Sequence, residues 1–320
     1  LLIAALAPCV LAKLYAEYVF VGLGCFFWHN ALNVVELGLK LLLLCGLLIV
    51  GIDLGRMVAV VFITGMVSGV LGWIVLRRRV GSLHLAWDQA MFTRFLDYGL
   101  PSYGTVLIGY LNLRLDQFLV GLVLSMEQLG LYIVAVLVAE LPMKVANAIT
   151  KVLFAHVSGM DAGSATELTN RTTRVVFTLA LITATTLLVI APFILVWTFG
   201  PIYLGAISAL WLMLPGAVMF NFVQLLYSDL AARGRPRIGI QAGLTSLLVT
   251  LLGNLLLTPL WGIEGAAISS SVAYSLSAMV MICGYRQATG CRLRDLAWIT
   301  AADLTLLRAS ISKRWKSYRS

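Results

Sequence analysis

Charged residues are scarce in this sequence of 320 residues, of which 12% are Asp, Glu, Lys or Arg and 61% are hydrophobic. A soluble domain has about 25% charged and about 45–50% apolar residues. One soluble core does not need so many consecutive apolar residues, whereas a helix that crosses a bilayer needs about 20 of them. The composition therefore argues against an ordinary soluble enzyme or binding domain and indicates a membrane protein with several spans.

Cysteine is also sparse, and its five residues form no CxxC motif and no cluster with the three histidines. Metal and redox sites need closely spaced ligands of this kind. We therefore interpret the cysteines as buried or reduced thiols, and we expect no metal, no cofactor and no catalytic residues.

The sequence begins at Leu1 inside an apolar run, without an initiator Met and without a signal-peptide pattern. The apolar run over residues 1–10 is too short to cross a bilayer, and we expect Lys13 to end the partial span over residues 1–14. This predicts the end of a truncated span, so that the N-terminal part of a larger protein is missing. Residues 15–28 are mixed and aromatic, which suits a membrane interface.

Eight apolar runs follow, each long enough to cross about 30 Å of hydrocarbon as a helix. Glycine and proline residues lie between the runs, and backbone groups in lipid must bond within their own helix. The sequence thus predicts an all-α, polytopic membrane helical bundle. Its spans are predicted at residues 29–50, 56–76, 100–122, 130–153, 174–197, 203–228, 238–258 and 263–285.

Basic residues are concentrated in alternate connections between these spans. Of the 23 Lys and Arg residues, 19 lie in one set of connections and in the tail, while the other set holds only Arg56. The positive-inside rule places the basic set, and the C-terminus, in the cytoplasm. The basic cytoplasmic connections thus account for the net charge of +9, and binding of nucleic acid is not needed to explain it. The tail, residues 291–320, is either an amphipathic helix on the inner leaflet or a frayed basic end.

Two predicted spans carry charged residues at helical spacing. Glu36 and Lys40 are separated by four residues, as are Glu140 and Lys144, and Asn147 continues the second stripe. Charges within a span cost about 2.5–3.5 kcal/mol each, so they usually face a bundle interior or a watery cavity. Two alternatives stay open for each stripe: a neutralised pair that holds helices together, or the lining of a cavity.

The span over residues 100–122 carries Arg114 and Asp116, which lie about 200° apart around a helix and cannot pair with each other. Tyr110 shares the face of Arg114. Each charge therefore needs a partner on another helix, in water or in a ligand. The planar guanidinium of Arg114 is well suited to bind a phosphate through two hydrogen bonds.

Six short segments of the chain carry a resemblance to a known family. They are "RLDQFLVG" (114–121), "LGLY" (129–132), "FGPIY" (199–203), "LPG" (214–216), "AARGRPR" (231–237) and "PLWGIEGAA" (259–267). In this order the segments resemble those of bacterial polysaccharide flippases, over about residues 1–295. The flippases belong to the multidrug/oligosaccharidyl-lipid/polysaccharide exporter superfamily.

The resemblance implies a two-lobed alternating-access transporter with twelve or fourteen helices in its full form. This chain would then hold the C-terminal part of the first lobe and the connecting loop (1–93), a complete second lobe of six helices (94–290) and a basic cytoplasmic tail (291–320). Eight candidate substrate-binding residues follow from the two stripes and the charged span: Glu36, Lys40, Tyr110, Arg114, Asp116, Glu140, Lys144 and Asn147.

The resemblance also implies a function, which is to move an undecaprenyl-diphosphate-linked oligosaccharide from the inner to the outer leaflet of the bacterial cytoplasmic membrane. The implied partners are that glycolipid, membrane lipids, a polysaccharide polymerase and chain-length proteins. A cation-coupled multidrug exporter of the same superfamily is an alternative, although it favours acidic cavity residues without matching bases. A membrane polysaccharide-assembly enzyme is a further alternative, but it needs larger loops than the sequence provides.

Overall fold

A computed structural model describes residues 2–51, 53–80 and 87–297 of the chain. These residues are almost entirely helical, and no strand occurs among them. The chain divides into two compact units, Leu1–Gln89 and Ala90–Ser320. The predicted all-α fold class is confirmed.

The first unit consists of α1 (Leu2–Gly22), α2 (Phe26–Val50) and α3 (Leu54–Val80). The chain turns at Gly24 and Gly51, whose φ angles of +71° and +100° favour glycine. Its core is a cluster of four buried side chains, Ala16, Phe20, Leu32 and Leu76.

The prediction that Lys13 ends the first span is wrong, because α1 continues through Lys13 and through much of the segment predicted to lie at the interface. Lys13 does not need a loop or water for its charge, since its Nζ atom lies 3.4 Å from Glu17 and also pairs with Glu36. Lys13 is therefore not a loop residue. The difference in charge between the two sets of connections depends on the other basic residues.

The second unit holds seven α-helices within the described residues, with a 3-10 helix (Pro201–Ala206) after the fourth. Its main core lies between α5, α7, α8 and the second half of α9. The helices are α4 (Gln89–Val123), α5 (Met126–Ala139), α6 (Leu141–Val157), α7 (Ala162–Thr198), α8 (Ile207–Ala232), α9 (Arg237–Thr289) and α10 (Arg294–Ala297).

One predicted boundary in this unit is wrong, and one predicted span is bent. α4 runs through the segment from Gly99 to Pro101 without a break, which membrane helices allow when neighbouring groups satisfy the freed backbone. The predicted span 130–153 contains a bend of 49°, where α5 and α6 meet at Glu140. Pro142 has no backbone N–H and so cannot continue the hydrogen bonds of α5. Proline is tolerated in the first turn of a helix, where Pro142 lies in α6.

α9 is 53 residues long and turns back on itself at Gly262, where φ is +61° and ψ is −138°. A straight helix of that length would extend about 80 Å, far more than a bilayer needs. The two limbs of α9 instead pack together, and Asn254 Nδ2 on the first limb donates to Ser269 Oγ on the second at 3.2 Å. The predicted break between Pro259 and Gly265 is confirmed.

Among the described residues, five helices are long and apolar enough to cross a membrane, or six if the bent pair α5–α6 is one span. The protein is thus a multi-pass membrane protein, while the count of eight spans stays a prediction. Both interpretations of the tail concern residues 298–320 for the most part, which lie outside the described residues.

Candidate functional site

The eight predicted substrate-binding residues lie in both units. Glu36 and Lys40 belong to α2 in the first unit. The other six lie in the second unit, on α4, at the bend before α6 or on α6 itself: Tyr110, Arg114, Asp116, Glu140, Lys144 and Asn147.

Glu36 is the centre of a charge cluster that joins the three helices of the first unit. Its carboxylate pairs with Lys13 on α1 and with Lys40 on α2, the latter at 3.3 Å. Ser68 on α3 donates to the same carboxylate at 3.2 Å. With Glu17 the cluster holds two acids and two bases. These contacts favour the first of the two alternatives for this stripe, a neutralised group that holds helices together.

Asp116 is fully buried in the second unit and finds its partners on other helices. Its Oδ2 atom accepts hydrogen bonds from Tyr132 Oη on α5 at 2.8 Å and from Ser270 Oγ on α9 at 3.1 Å. Its Oδ1 atom accepts from the backbone N–H of Gln117 at 2.7 Å. A buried carboxylate without a neighbouring cation needs hydrogen-bond donors to stabilise it, and Asp116 has three of them.

Replacing Tyr132 by Phe should reduce thermal stability, because the hydroxyl is lost and one oxygen of Asp116 loses a donor. A hydrogen bond of this kind contributes about 1–3 kcal/mol. Melting of the purified protein in detergent measures the effect. Tyr285→Phe is the matched control, since Tyr285 Oη donates at 3.0 Å to a neutral acceptor, Asn170 Oδ1. An equal or larger loss for Tyr285→Phe would contradict the importance given to Asp116.

Arg114 lies on the exposed face of α4 and does not contact Asp116. Its guanidinium donates one hydrogen bond, to Gln117 Oε1 at 3.3 Å, and no carboxylate pairs with it within the described part of the chain. Tyr110 lies one turn earlier with 67% of its surface exposed. Arg114 and Tyr110 therefore present a cation and an aromatic side chain together on one accessible surface.

Glu140 and Lys144 form a second polar group where α5 bends into α6. Lys144 Nζ lies 3.2 Å from Glu140 Oε2, and the Lys144 side chain is 56% exposed. Asn147 follows one turn later and is also exposed. Lys144 thus has an acidic partner on its own stripe but can still be reached from outside.

The charged part of α4 and the α5–α6 bend lie close together in the second unit. The buried Tyr274 on α9 packs in one hydrophobic cluster with Leu113 of α4 and Met143 of α6. Arg114 follows Leu113 in the sequence, and Glu140 and Lys144 lie within three residues of Met143. The structure therefore brings together two charged segments that the sequence places in separate spans.

One buried charged group was missed from the sequence. Asp229 on α8 is fully buried and accepts from Arg233 Nε at 2.6 Å and from Thr169 Oγ1 on α7 at 3.0 Å. Arg233 also donates to Thr166 Oγ1 at 2.9 Å. The sequence interpretation counts Arg233 among the basic residues of a connection, although its spacing of four residues from Asp229 indicates a pair along one helix.

Comparison with known proteins gives one family match and several similar folds. A family model described as "Polysaccharide biosynthesis protein" matches residues 37–208. No match was found among curated proteins.

The similar folds are solved structures of MATE transporters. A MATE mutant has a TM-score of 0.77 at 14% identity, over 90% of this chain and 68% of that chain. An outward-facing multidrug resistance MATE family transporter of the MOP superfamily gives 0.67 at 15% identity, over 82% and 62%. A mutant of a Vibrio cholerae MATE transporter gives 0.73 at 15% identity, over 88% and 67%.

These likenesses establish the fold, and this chain spans about two thirds of the length of those transporters. The family match extends over more than half of this chain, from α2 to the start of α8. The chain therefore belongs to the polysaccharide biosynthesis protein family.

Proposed function

We propose that the protein is a flippase, which moves undecaprenyl-diphosphate-linked oligosaccharide from the inner to the outer leaflet of the bacterial cytoplasmic membrane. Membership of a polysaccharide biosynthesis family supports the substrate class. The likeness to MATE transporters supports movement across the membrane rather than covalent chemistry. A polysaccharide polymerase, chain-length proteins and membrane lipids are the partners that fit this role.

The proposal depends most on Arg114, a cation that has no acidic partner among the described residues. A cation within an apolar helix is costly and is normally matched by an acid. Arg114 is exposed and has only a weak contact with Gln117 among the described residues. Its guanidinium is therefore free to bind a diphosphate through charge-assisted hydrogen bonds. Lys144 and Tyr110 lie on accessible surfaces and are proposed as helpers, and Asn147 as a contact for sugar.

The multidrug exporter is the second candidate, because the similar structures include a multidrug resistance transporter. A cationic drug requires an acid that is free to bind it. Here Glu36 contacts two lysines, Glu140 contacts Lys144 and Asp116 accepts three hydrogen bonds. These three acids are thus already compensated, whereas Arg114 has no acidic partner among the described residues, which favours an anionic substrate.

We also propose, from the positive-inside rule, that the connection between α8 and α9 lies in the cytoplasm. Cysteine at Arg235 should be labelled by an impermeant maleimide only from the cytoplasmic side, and cysteine at Glu127 only from outside. Arg235 is preferred to its neighbour Gly234, whose φ of +73° disfavours a side chain. Labelling of both positions from the same side would contradict this orientation.

Deletion of the gene in its host is the test of the function. We expect surface polysaccharide to disappear and lipid-linked oligosaccharide to accumulate in the inner leaflet, with unchanged sensitivity to cationic dyes. The opposite pattern, intact polysaccharide with increased sensitivity to ethidium, would favour the drug exporter.

A further inference from the structure

A groove runs between the two limbs of α9, near the end of this helix at Thr289. Its larger part has a volume of about 460 Å³ and is lined by residues of both limbs, from 238 to 245 and from 276 to 287. A second pocket of about 300 Å³ adjoins it, since Cys283 and Gln287 line both spaces. The two spaces therefore form one continuous groove on the surface of the second unit.

The groove depends on a close approach of the two limbs. A Cβ atom added at Gly284 would lie only 2.5 Å from Ile238 Cγ2 on the first limb. The limbs therefore touch where Gly284 and Ile238 meet, and both residues line the groove. This contact fixes the spacing of the limbs, so the groove is a property of the packed helix pair.

The character of the groove changes along its length. Leu276 and Met279 give the larger part an apolar wall, to which Gln241 and Gln287 add amide groups. Arg286 lines the second pocket. It lies ten residues after Leu276, which is about 15 Å along a helix and about half of a hydrocarbon core of roughly 30 Å. The groove thus has the length of one leaflet, with apolar side chains at depth and a cation at the end of the helix.

Arg286 is exposed and can contact a ligand in the groove. Its Nε atom donates to the carbonyl oxygen of Cys291 at 3.3 Å, which holds the guanidinium beside the second pocket. Within the ranges that the structure describes, no acid pairs with it, and the one acid of α9, Glu264, lies 22 residues away along the chain. The remaining N–H groups of such a guanidinium can donate to two oxygens of one phosphate.

A second arginine stands at the same end of the groove. Arg237 begins the first limb, directly before Ile238 of the groove wall, and it is exposed. In the segment "AARGRPR", Arg233 is paired with the buried Asp229, whereas the sequence has no acid between Arg237 and Gly262. This end of the groove thus carries two exposed cations, one on each limb.

We propose that the groove binds an anionic phospholipid, with an acyl chain along Leu276 and Met279 and the phosphodiester between Arg286 and Arg237. Basic pockets between membrane helices at the cytoplasmic side are binding sites for anionic lipid headgroups. A zwitterionic lipid would bring its ammonium group toward the two arginines, and a small soluble anion would leave the apolar wall uncovered. The site is separate from Arg114 on α4, and it goes beyond the proposed transport function.

Native mass spectrometry of the full chain, purified in detergent and titrated with lipid, tests the proposal. The probes are phosphatidylglycerol and phosphatidylcholine with identical acyl chains. Wild type should bind phosphatidylglycerol at least about fivefold more tightly, as expected for a cation close to an anionic headgroup. Arg286→Gln should lose most of this preference, and Arg286→Lys should keep it. Arg94→Gln, which removes another exposed arginine of the second unit, is the matched control and should keep it in full.

The apolar part of the groove is tested separately with Cys283→Trp. Cys283 is exposed and lines both spaces, so an indole at this position should fill the groove and weaken binding of both lipids. Cys45→Trp, at an exposed cysteine of α2, is the control and should bind both lipids as wild type does.

Equal binding of the two lipids by wild type, or an unchanged preference in Arg286→Gln, would overturn the proposal. Undiminished binding by Cys283→Trp would overturn the placement of the acyl chain. Tighter binding of a polyprenyl diphosphate that also depends on Arg286 would assign the groove to the transported glycolipid and overturn its assignment to a phospholipid. Binding is measured without transport, so a failure of the flippase proposal leaves this result unaffected.

Discussion

Replacing Arg114 by Ala should abolish export of polysaccharide while the protein remains in the membrane at near-normal abundance. Abundance should hold because Arg114 pairs with no acid within the described part of the chain, and Asp116 has its own donors on α5 and α9. Export should be lost because the diphosphate loses its guanidinium ligand. Arg114→Lys should keep partial activity, since lysine supplies the charge without the planar fork. Surface polysaccharide, scored against protein level, measures both effects.

Arg94→Ala is the matched control for this change, because Arg94 is the other arginine of α4 and its side chain is also exposed. It should reduce export little. Normal export by Arg114→Ala at normal abundance would exclude an essential role in binding. A loss of protein in step with a loss of export would instead indicate a structural role.

Replacing Lys13 by Met should strongly destabilise the first unit. Lys13 contacts both Glu17 and Glu36, and their side chains are only 7% and 18% exposed. Glu36 would retain Lys40 and Ser68, whereas Glu17 would lose the cation that pairs with it. Removal of one partner from a buried ion pair costs about 3–5 kcal/mol. Thermal melting and protein abundance in membranes measure the loss.

Lys40→Met provides the comparison within the same cluster. Lys40 is 33% exposed and contacts Glu36, which keeps Lys13 and Ser68 as partners after the change. Its loss should therefore cost much less than that of Lys13. Equal stability of the two variants would contradict the central position of Lys13 in this cluster. A selective effect of Lys40→Met on export would support the substrate-binding alternative for Lys40.

The helical fold and most of its breaks could be predicted from the sequence, because each depends on a local signal. Apolar runs predict helices, and glycine at a required positive φ ends them, as at Gly51 and Gly262. Pro101 and Pro142 give the same local signal with different results. α4 continues through Pro101, whereas α5 ends before Pro142. The position of a proline alone does not decide between a continuous helix and a bend.

The contacts of the charged residues could be predicted only in part. Spacing along one helix gives the pairs Glu36–Lys40 and Glu140–Lys144, and both are present. It also shows that Arg114 and Asp116 cannot pair. Partners on other helices have no signal in one sequence, so Lys13 was assigned to a loop. The Tyr132 and Ser270 donors to Asp116 are separated from it by 16 and 154 residues.

The most direct test of the account is translocation of a fluorescent polyprenyl-diphosphate oligosaccharide by the purified protein in liposomes. A reagent that cannot cross the membrane bleaches only the outer-leaflet label of protein-free liposomes. With the protein present, the account predicts that the label of the inner leaflet also becomes accessible, and that Arg114→Ala liposomes bleach like protein-free ones. Bleaching by wild type that does not exceed the protein-free level would contradict it.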